Sequence, residues 1–338
     1  MKEVALGAVV LLMVIGSALA QDGFIVGGGA DSALSGWSDI GQMQEASAKL
    51  SCSDSHIQDL SYGSHELHKL DVYPSATENS PVIFFIHGGA WRTGDKSAPA
   101  HQQKGQYYSS QGYVFVSVNY RLSPEVQHPA HIQDVAAAFS YMKQNCRQWN
   151  GDPAAIYVMG HSAGAHLAAL LSTNETYLEA EGASLSDISK TVLLDGAGYD
   201  IPLVKEMNEN SFSRTYAPAF GTEDSVLIEA SPIHNVEEGK GIASFLIIHI
   251  DREMSRRQSG NLANKLRECG YVATVREAEG KTHESLSKEL GQDSDIPTQW
   301  TLKFFSGTNV EGSRKAGSRR RVRRKKGQRR KYYRKMAR

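Results

Sequence analysis

With 338 residues, 40% of them hydrophobic and 22% charged, the chain has the material for a large single core and is not a disordered polymer. Three cysteines are too few for a disulfide scaffold, and their spacing matches no zinc site. A formal net charge of zero hides a segregation. Of the 37 Lys and Arg residues, 15 fall between Arg314 and Arg338, where there is no Asp or Glu; the rest of the chain keeps 22 basic against 37 acidic residues, a net of −15.

Residues 1–20 read as an export signal. Lys2 opens a short basic region, Val4 to Ile15 is nearly all apolar, and Ala18-Leu19-Ala20 supplies small residues before a cleavage point at Gln21. The apolar run falls short of the roughly 20 residues that span a bilayer, and no later segment is long enough, so no transmembrane span is expected after signal removal. Export implies an oxidising compartment, where Cys52, Cys146 and Cys269 would leave one thiol unpaired. Asn174-Glu175-Thr176 is a candidate glycosylation sequon.

Residues 21–55 are rich in Gly, Ser and Ala and form a lead-in without periodicity. From residue 56 to 307, short β-rich apolar runs alternate with helical patterns. Strands are predicted at Leu70–Tyr73, Val82–Ile86, Tyr113–Val118, Ala155–Met159, Thr191–Leu194, Phe245–Ile250 and Tyr271–Val275. Helices are predicted at Ile132–Met142, Ala163–Leu171, Gln258–Leu266 and Gln299–Phe305. Such alternation predicts an α/β domain, a mostly parallel central sheet with helices on both faces. Pro202 to Gly241 breaks the rhythm and reads as a small cap insertion. Residues 308–338 lack apolar periodicity and are predicted to be a disordered basic tail.

Two motifs carry chemistry. Gly160-His161-Ser162-Ala163-Gly164 follows a predicted strand and opens a predicted helix, the setting of a nucleophile elbow, where small neighbours make room for a serine on a strained turn. His87-Gly88-Gly89-Ala90-Trp91 follows another strand, and its glycines free backbone N–H groups to face a developing oxyanion; Gly89 and Ala90, shaped by Gly88, would supply two donors and Ala163 a third.

These motifs resemble those of the α/β-hydrolase superfamily, in particular the hormone-sensitive-lipase-like and kynurenine-formamidase-like esterases. Asn119-Tyr120-Arg121-Leu122-Ser123-Pro124-Glu125, His128-Pro129-Ala130 and Asp134 are similar to the block that this group carries between oxyanion loop and nucleophile. The resemblance runs from about Tyr62 to Phe305 and implies an α/β-hydrolase fold with the chain order Ser, acid, His. It puts the base at His283. For the acid it offers two alignments beyond the strand ending at Ile250. A His-Gly-x-x-Asp pattern laid on His249 points to Glu253, whereas the formamidase-like pattern, aligned through Arg257-Gln258-Ser259, points to Asp251. Asp251 is preferred because Ile250 stands where the first pattern has glycine.

The expected chemistry is acyl transfer from a small ester through Ser162, His283 and Asp251, with no metal or organic cofactor. Two other functions fit the same sequence: an arylformamidase-like amidase, and a catalytically silent polyanion- or matrix-binding protein on an esterase scaffold. Outside the cell, residues 314–338 would bind sulfated glycans or acidic matrix rather than nucleic acid. Arg321-Val322-Arg323-Arg324 also has the basic spacing of a convertase site.

Overall fold

The computed structural model describes residues 56–307; the predicted signal, the lead-in, Cys52 and the basic tail lie outside them. Eight strands form one sheet in the order β1-β2-β4-β3-β5-β6-β7-β8. They are β1 (Ile57–Ser61), β2 (Lys69–Tyr73), β3 (Ser80–Ile86), β4 (Val114–Val118), β5 (Gly151–His161), β6 (Ile188–Leu194), β7 (Ser244–His249) and β8 (Ala273–Glu277). Only β1–β2 and β2–β4 pair antiparallel; every pairing from β4 through β3, β5, β6 and β7 to β8 is parallel. This is the α/β-hydrolase architecture.

The parallel strands are apolar on both sides because each side faces helices. Along β3, Val82, Phe84 and Ile86 join one core, whereas Ile83 and Phe85 join the other. The first core also holds α2 (Ala130–Asn145) and α3 (Ala163–Leu171), through Ile132, Phe139, Leu167 and Leu171. The second takes Tyr108 from α1 (Pro99–Ser110) and Phe305 from the helix Ile296–Phe305.

Among the elements that escape the pattern reading are β1 and α1. β1 is an edge strand with its residues half-buried or exposed, so it lacks a continuous apolar run. α1 is polar along its length and is held by buried Lys104, Gly105 and Tyr108. A β-carbon on Gly105 would overlap the ring of Tyr73 at 2.4 Å.

Between β6 and β7 the chain forms a cap of short helical segments, among them Ile201–Met207, Ala217–Phe220 and Asp224–Glu229. It is tied to the body by the His128 N–H bond to the Ala219 carbonyl (2.7 Å) and by the His166 Nε2 bond to the Ala230 carbonyl (2.7 Å). Asn174 is buried between cap and body. Its Oδ1 accepts from the Thr176 N–H to start the helix Glu175–Ala180, and its Nδ2 faces Glu229 at 3.4 Å. The sequon is thereby corrected as a glycosylation candidate, because a glycan on Nδ2 would have to displace this packing.

Candidate active site

Every element of the site comes from the carboxyl end of a strand, the edge where parallel sheets place ligand chemistry. β5 runs into Ser162, whose backbone has φ 56° and ψ −121°, and α3 starts immediately after it. Holding a non-glycine residue there costs on the order of 1–3 kcal/mol, so the surroundings must enforce it. They do so by proximity: a β-carbon on Gly160 would lie 2.2 Å from the Gly164 carbonyl oxygen, and one on Gly164 would lie 2.1 Å from the Ile86 carbonyl oxygen. The elbow is pressed against β3, and only glycine fits at its two flanks.

The loop after β3 passes just as closely. A β-carbon on Gly88 would meet the Ser162 Cβ at 2.9 Å, and Gly89 and Ala90 have positive φ values of 119° and 55°. Within the described residues the N–H groups of Gly89, Ala90 and Ala163 donate to no backbone or side-chain acceptor. The loop itself is braced from behind. Tyr120 donates its hydroxyl to the His87 carbonyl (3.0 Å), and the Ser123 N–H bonds the Trp91 carbonyl (2.8 Å). Trp91 is fully buried against Tyr216 and Phe220 of the cap and donates its indole N–H to His166 Nδ1 (3.3 Å). Arg121 clamps Asp134 through its Nε and Nη2 atoms (2.8 and 2.6 Å). The block from Asn119 to Asp134 therefore supports the loop from His87 to Trp91.

His283 lies at the first turn of the helix His283–Lys288, fixed by Thr282, whose hydroxyl accepts from the Ser285 N–H (3.1 Å) while the Ser285 hydroxyl accepts from the Thr282 N–H (2.9 Å). Its Nε2 is 3.0 Å from the Ser162 hydroxyl oxygen. Its Nδ1 is 2.6 Å from a carboxylate oxygen, and that carboxylate belongs to Asp195.

The acid is therefore corrected. Asp251 is exposed beyond β7 and pairs with Arg256, and Glu253 is exposed at the start of the helix Glu253–Glu268, where its charge suits the helix terminus. Neither reaches His283. Asp195 stands at the end of β6, one strand earlier, and is wholly buried. The order Ser, acid, His is kept. The signal in the sequence was a lone carboxylate followed by glycine, Leu194-Asp195-Gly196, ending a buried strand. The glycine is needed because a β-carbon on Gly196 would lie 2.0 Å from the Tyr199 hydroxyl.

Burial alone would favour a neutral Asp195. Hydrogen bonds from His283 and Ser255, with the nearby charge of Arg252, outweigh it and hold the carboxyl below the usual carboxylate range. On the other side of His283, His161 is buried and stacked at 4.5 Å between ring centroids. Burial, reinforced by the neighbouring His283, lowers its pKa to about 3, so the ring is neutral and donates from Nε2 to the His283 carbonyl (2.9 Å). His249 is a buried core residue bonded to the Ile250 carbonyl. No group of His, Cys, Asp and Glu among the described residues could hold a metal ion.

The chain is similar to several known proteins. The family model described as BD-FAE matches residues 70–266. A probable carboxylic ester hydrolase LipM of Mycobacterium tuberculosis is 38% identical over 120 residues, 34% of this chain and 28% of that protein. A kynurenine formamidase of Meyerozyma guilliermondii is 36% identical over 176 residues, 52% of this chain and 64% of that protein. The chain thus spans less than two thirds of either relative. Among solved structures, a truncated carbohydrate esterase from gut microbiota superposes with a TM-score of 0.64 at 26% identity, covering 76% of this chain and 97% of that one.

Proposed function

The chain belongs to the BD-FAE family, and on that premise we propose that it is a serine hydrolase of small carboxylic esters. The observation that carries this reading is the hydrogen-bonded series Ser162–His283–Asp195 beside a loop of undonated N–H groups. Esterases among the relatives and structural neighbours support the same chemistry.

In this mechanism Asp195 accepts a hydrogen bond from the Nδ1–H of His283, which fixes the tautomer with a free lone pair on Nε2. That nitrogen takes the Ser162 proton as the oxygen attacks the acyl carbonyl. The oxyanion of the tetrahedral intermediate is received by the N–H groups of Gly89, Ala90 and Ala163. The alcohol departs with the proton from His283, leaving an acyl-serine. Water repeats the cycle and frees the acid. A fluorophosphonate probe should label the protein at Ser162, and p-nitrophenyl acetate and butyrate should be hydrolysed by the parent and not by S162A. Equal turnover by both proteins would sink the assignment, and an unlabelled, inactive parent would leave a silent binding protein.

A second reading is favoured by one comparison, the kynurenine formamidase likeness over 176 residues. N-formylkynurenine turned over faster than the nitrophenyl esters would make the protein an amidase using the same residues.

Export and polyanion binding rest on sequence outside the described residues. We infer that residues 1–20 direct secretion and that residues 314–338 bind sulfated glycan. A mature N-terminus at Gln21 tests the first. Heparin retention that is lost on truncation after Gly312 tests the second.

A further inference from the structure

The segment after β7, where an acid was expected, points a different residue at the site. Asp251 and Glu253 face outward, and Arg252 between them turns inward. Its Nη2 lies 3.3 Å from Oδ2 of Asp195, the same oxygen that His283 Nδ1 approaches at 2.6 Å. Its Nε donates to the Ser255 hydroxyl at 2.9 Å, and Ser255 in turn hydrogen-bonds Asp195. The guanidinium is thereby fixed at two points, a geometry that a point-charge ammonium would not reproduce in full. Half of the side chain is exposed to solvent.

We propose that Arg252 is a positioning residue of this site: it orients the Asp195 carboxylate and, through it, governs where the activity falls away at acid pH. This rests on the hydrolase reading above. The physical argument has two opposing parts. A carboxylate held against an imidazole favours the charged form of the ring. A fixed cation on the same carboxylate oxygen works against that charge while leaving Asp195 ionised. The other groups facing the pair are His161, neutral through burial, Tyr199, buried beside Asp195, Tyr216 of the cap near Arg252, and the exposed Glu284 next to His283. Among them only Arg252 brings a permanent positive charge.

The experiment compares parent, R252K, R252Q and S255A in two readouts. One is the pH profile of kcat/KM on a nitrophenyl ester, and the other is the titration of the His283 ring followed by NMR without substrate. In R252Q both the acidic limb and the ring titration should move to higher pH by about half a unit to one unit at low salt, a size discounted for solvent exposure. About 1 M salt should shrink the difference. R252K should restore most of the pH position yet keep a several-fold loss on the plateau, because it keeps the charge and loses the fork. S255A should share the plateau loss with little shift. An unmoved limb in R252Q, or R252K and R252Q shifting alike, would overturn the proposal. The ring titration needs no turnover, so a parent that hydrolyses no ester marks a failure of the activity reading, whereas an active parent with an unmoved R252Q marks a failure of this one.

Discussion

The two ends of the hydrogen-bonded series Ser162–His283–Asp195 are held in place by different physics. At the serine end the geometry is steric. Gly160, Gly164 and Gly88 bring three backbone segments so close that no β-carbon fits, and the strained Ser162 conformation follows from that crowding. At the acid end the geometry is electrostatic. Asp195 is a buried charge whose oxygens are met by the His283 ring, by the Ser255 and Arg252 side chains and, at 3.4 Å, by the Ile250 backbone N–H. Crowding is insensitive to pH and salt, whereas a network of side-chain charges is not. The glycines that crowd the serine end should therefore fail by misfolding when altered, and the acid end by losing rate in a folded protein.

The largest effect expected is at the nucleophile. S162A should lower kcat/KM for p-nitrophenyl butyrate by about 10⁴-fold or more, with an unchanged melting temperature. A loss under tenfold would show that the hydroxyl is not the attacking group. Next is the acid. D195N leaves a side chain of the same shape and removes the acceptor that sets the His283 tautomer, so kcat should fall by about 10³–10⁴. D251N and E253Q should stay within about twofold of the parent, since neither carboxylate touches His283. If D251N were the damaged protein and D195N the active one, the placement of the acid would be wrong.

The contrast sharpens with G164A. Its new methyl would lie 2.1 Å from the Ile86 carbonyl oxygen and 2.4 Å from that of His87, both backbone atoms that cannot step aside. Destabilisation of several kcal/mol is expected, at the high end for single substitutions. The measurement is the urea midpoint, with the slope checked for two-state behaviour. A G164A protein that is as stable as the parent but slower would mean that the elbow yields.

The same division explains what the sequence made legible. The elbow and the His87–Trp91 loop announce themselves because crowding demands glycine at particular positions beside a strand end, and those glycines are adjacent in sequence to the residues they serve. The parallel strands were readable for a similar reason, since burial on both faces leaves continuous apolar runs such as Val82–Ile86 and Phe245–Ile250. Asp195 was not readable in this way. A carboxylate beyond β6 and two beyond β7 are equivalent until tertiary contacts decide which one is buried against the His283 ring. Asp251 loses because Arg256, one helical turn onward, holds it outside. α1 was missed because its polar residues are buried by a tertiary contact rather than by an apolar stripe, with Lys104 the extreme case.

Lys104 supplies the last prediction, because it is a buried charge that lies outside the network around Asp195. It has no exposed surface, and its Nζ donates to the Ala100 carbonyl at 2.9 Å. Burial lowers its pKa from 10.5 to about 7, against a modest opposing pull from Asp295. In the unfolded chain an ordinary lysine stays protonated to about pH 10.4. Between those limits the unfolded state binds more protons than the folded one, so this residue's cost should be full below about pH 7 and should fade as the pH rises toward 10. K104M keeps the stem and removes the charge. It should raise stability by a few kcal/mol at pH 6, and its advantage should shrink steadily through pH 8 and 9.5 in urea unfolding. A K104M advantage that stays constant with pH would mean that the ammonium is solvated in the folded protein and that crowding, not charge, is all that surrounds α1.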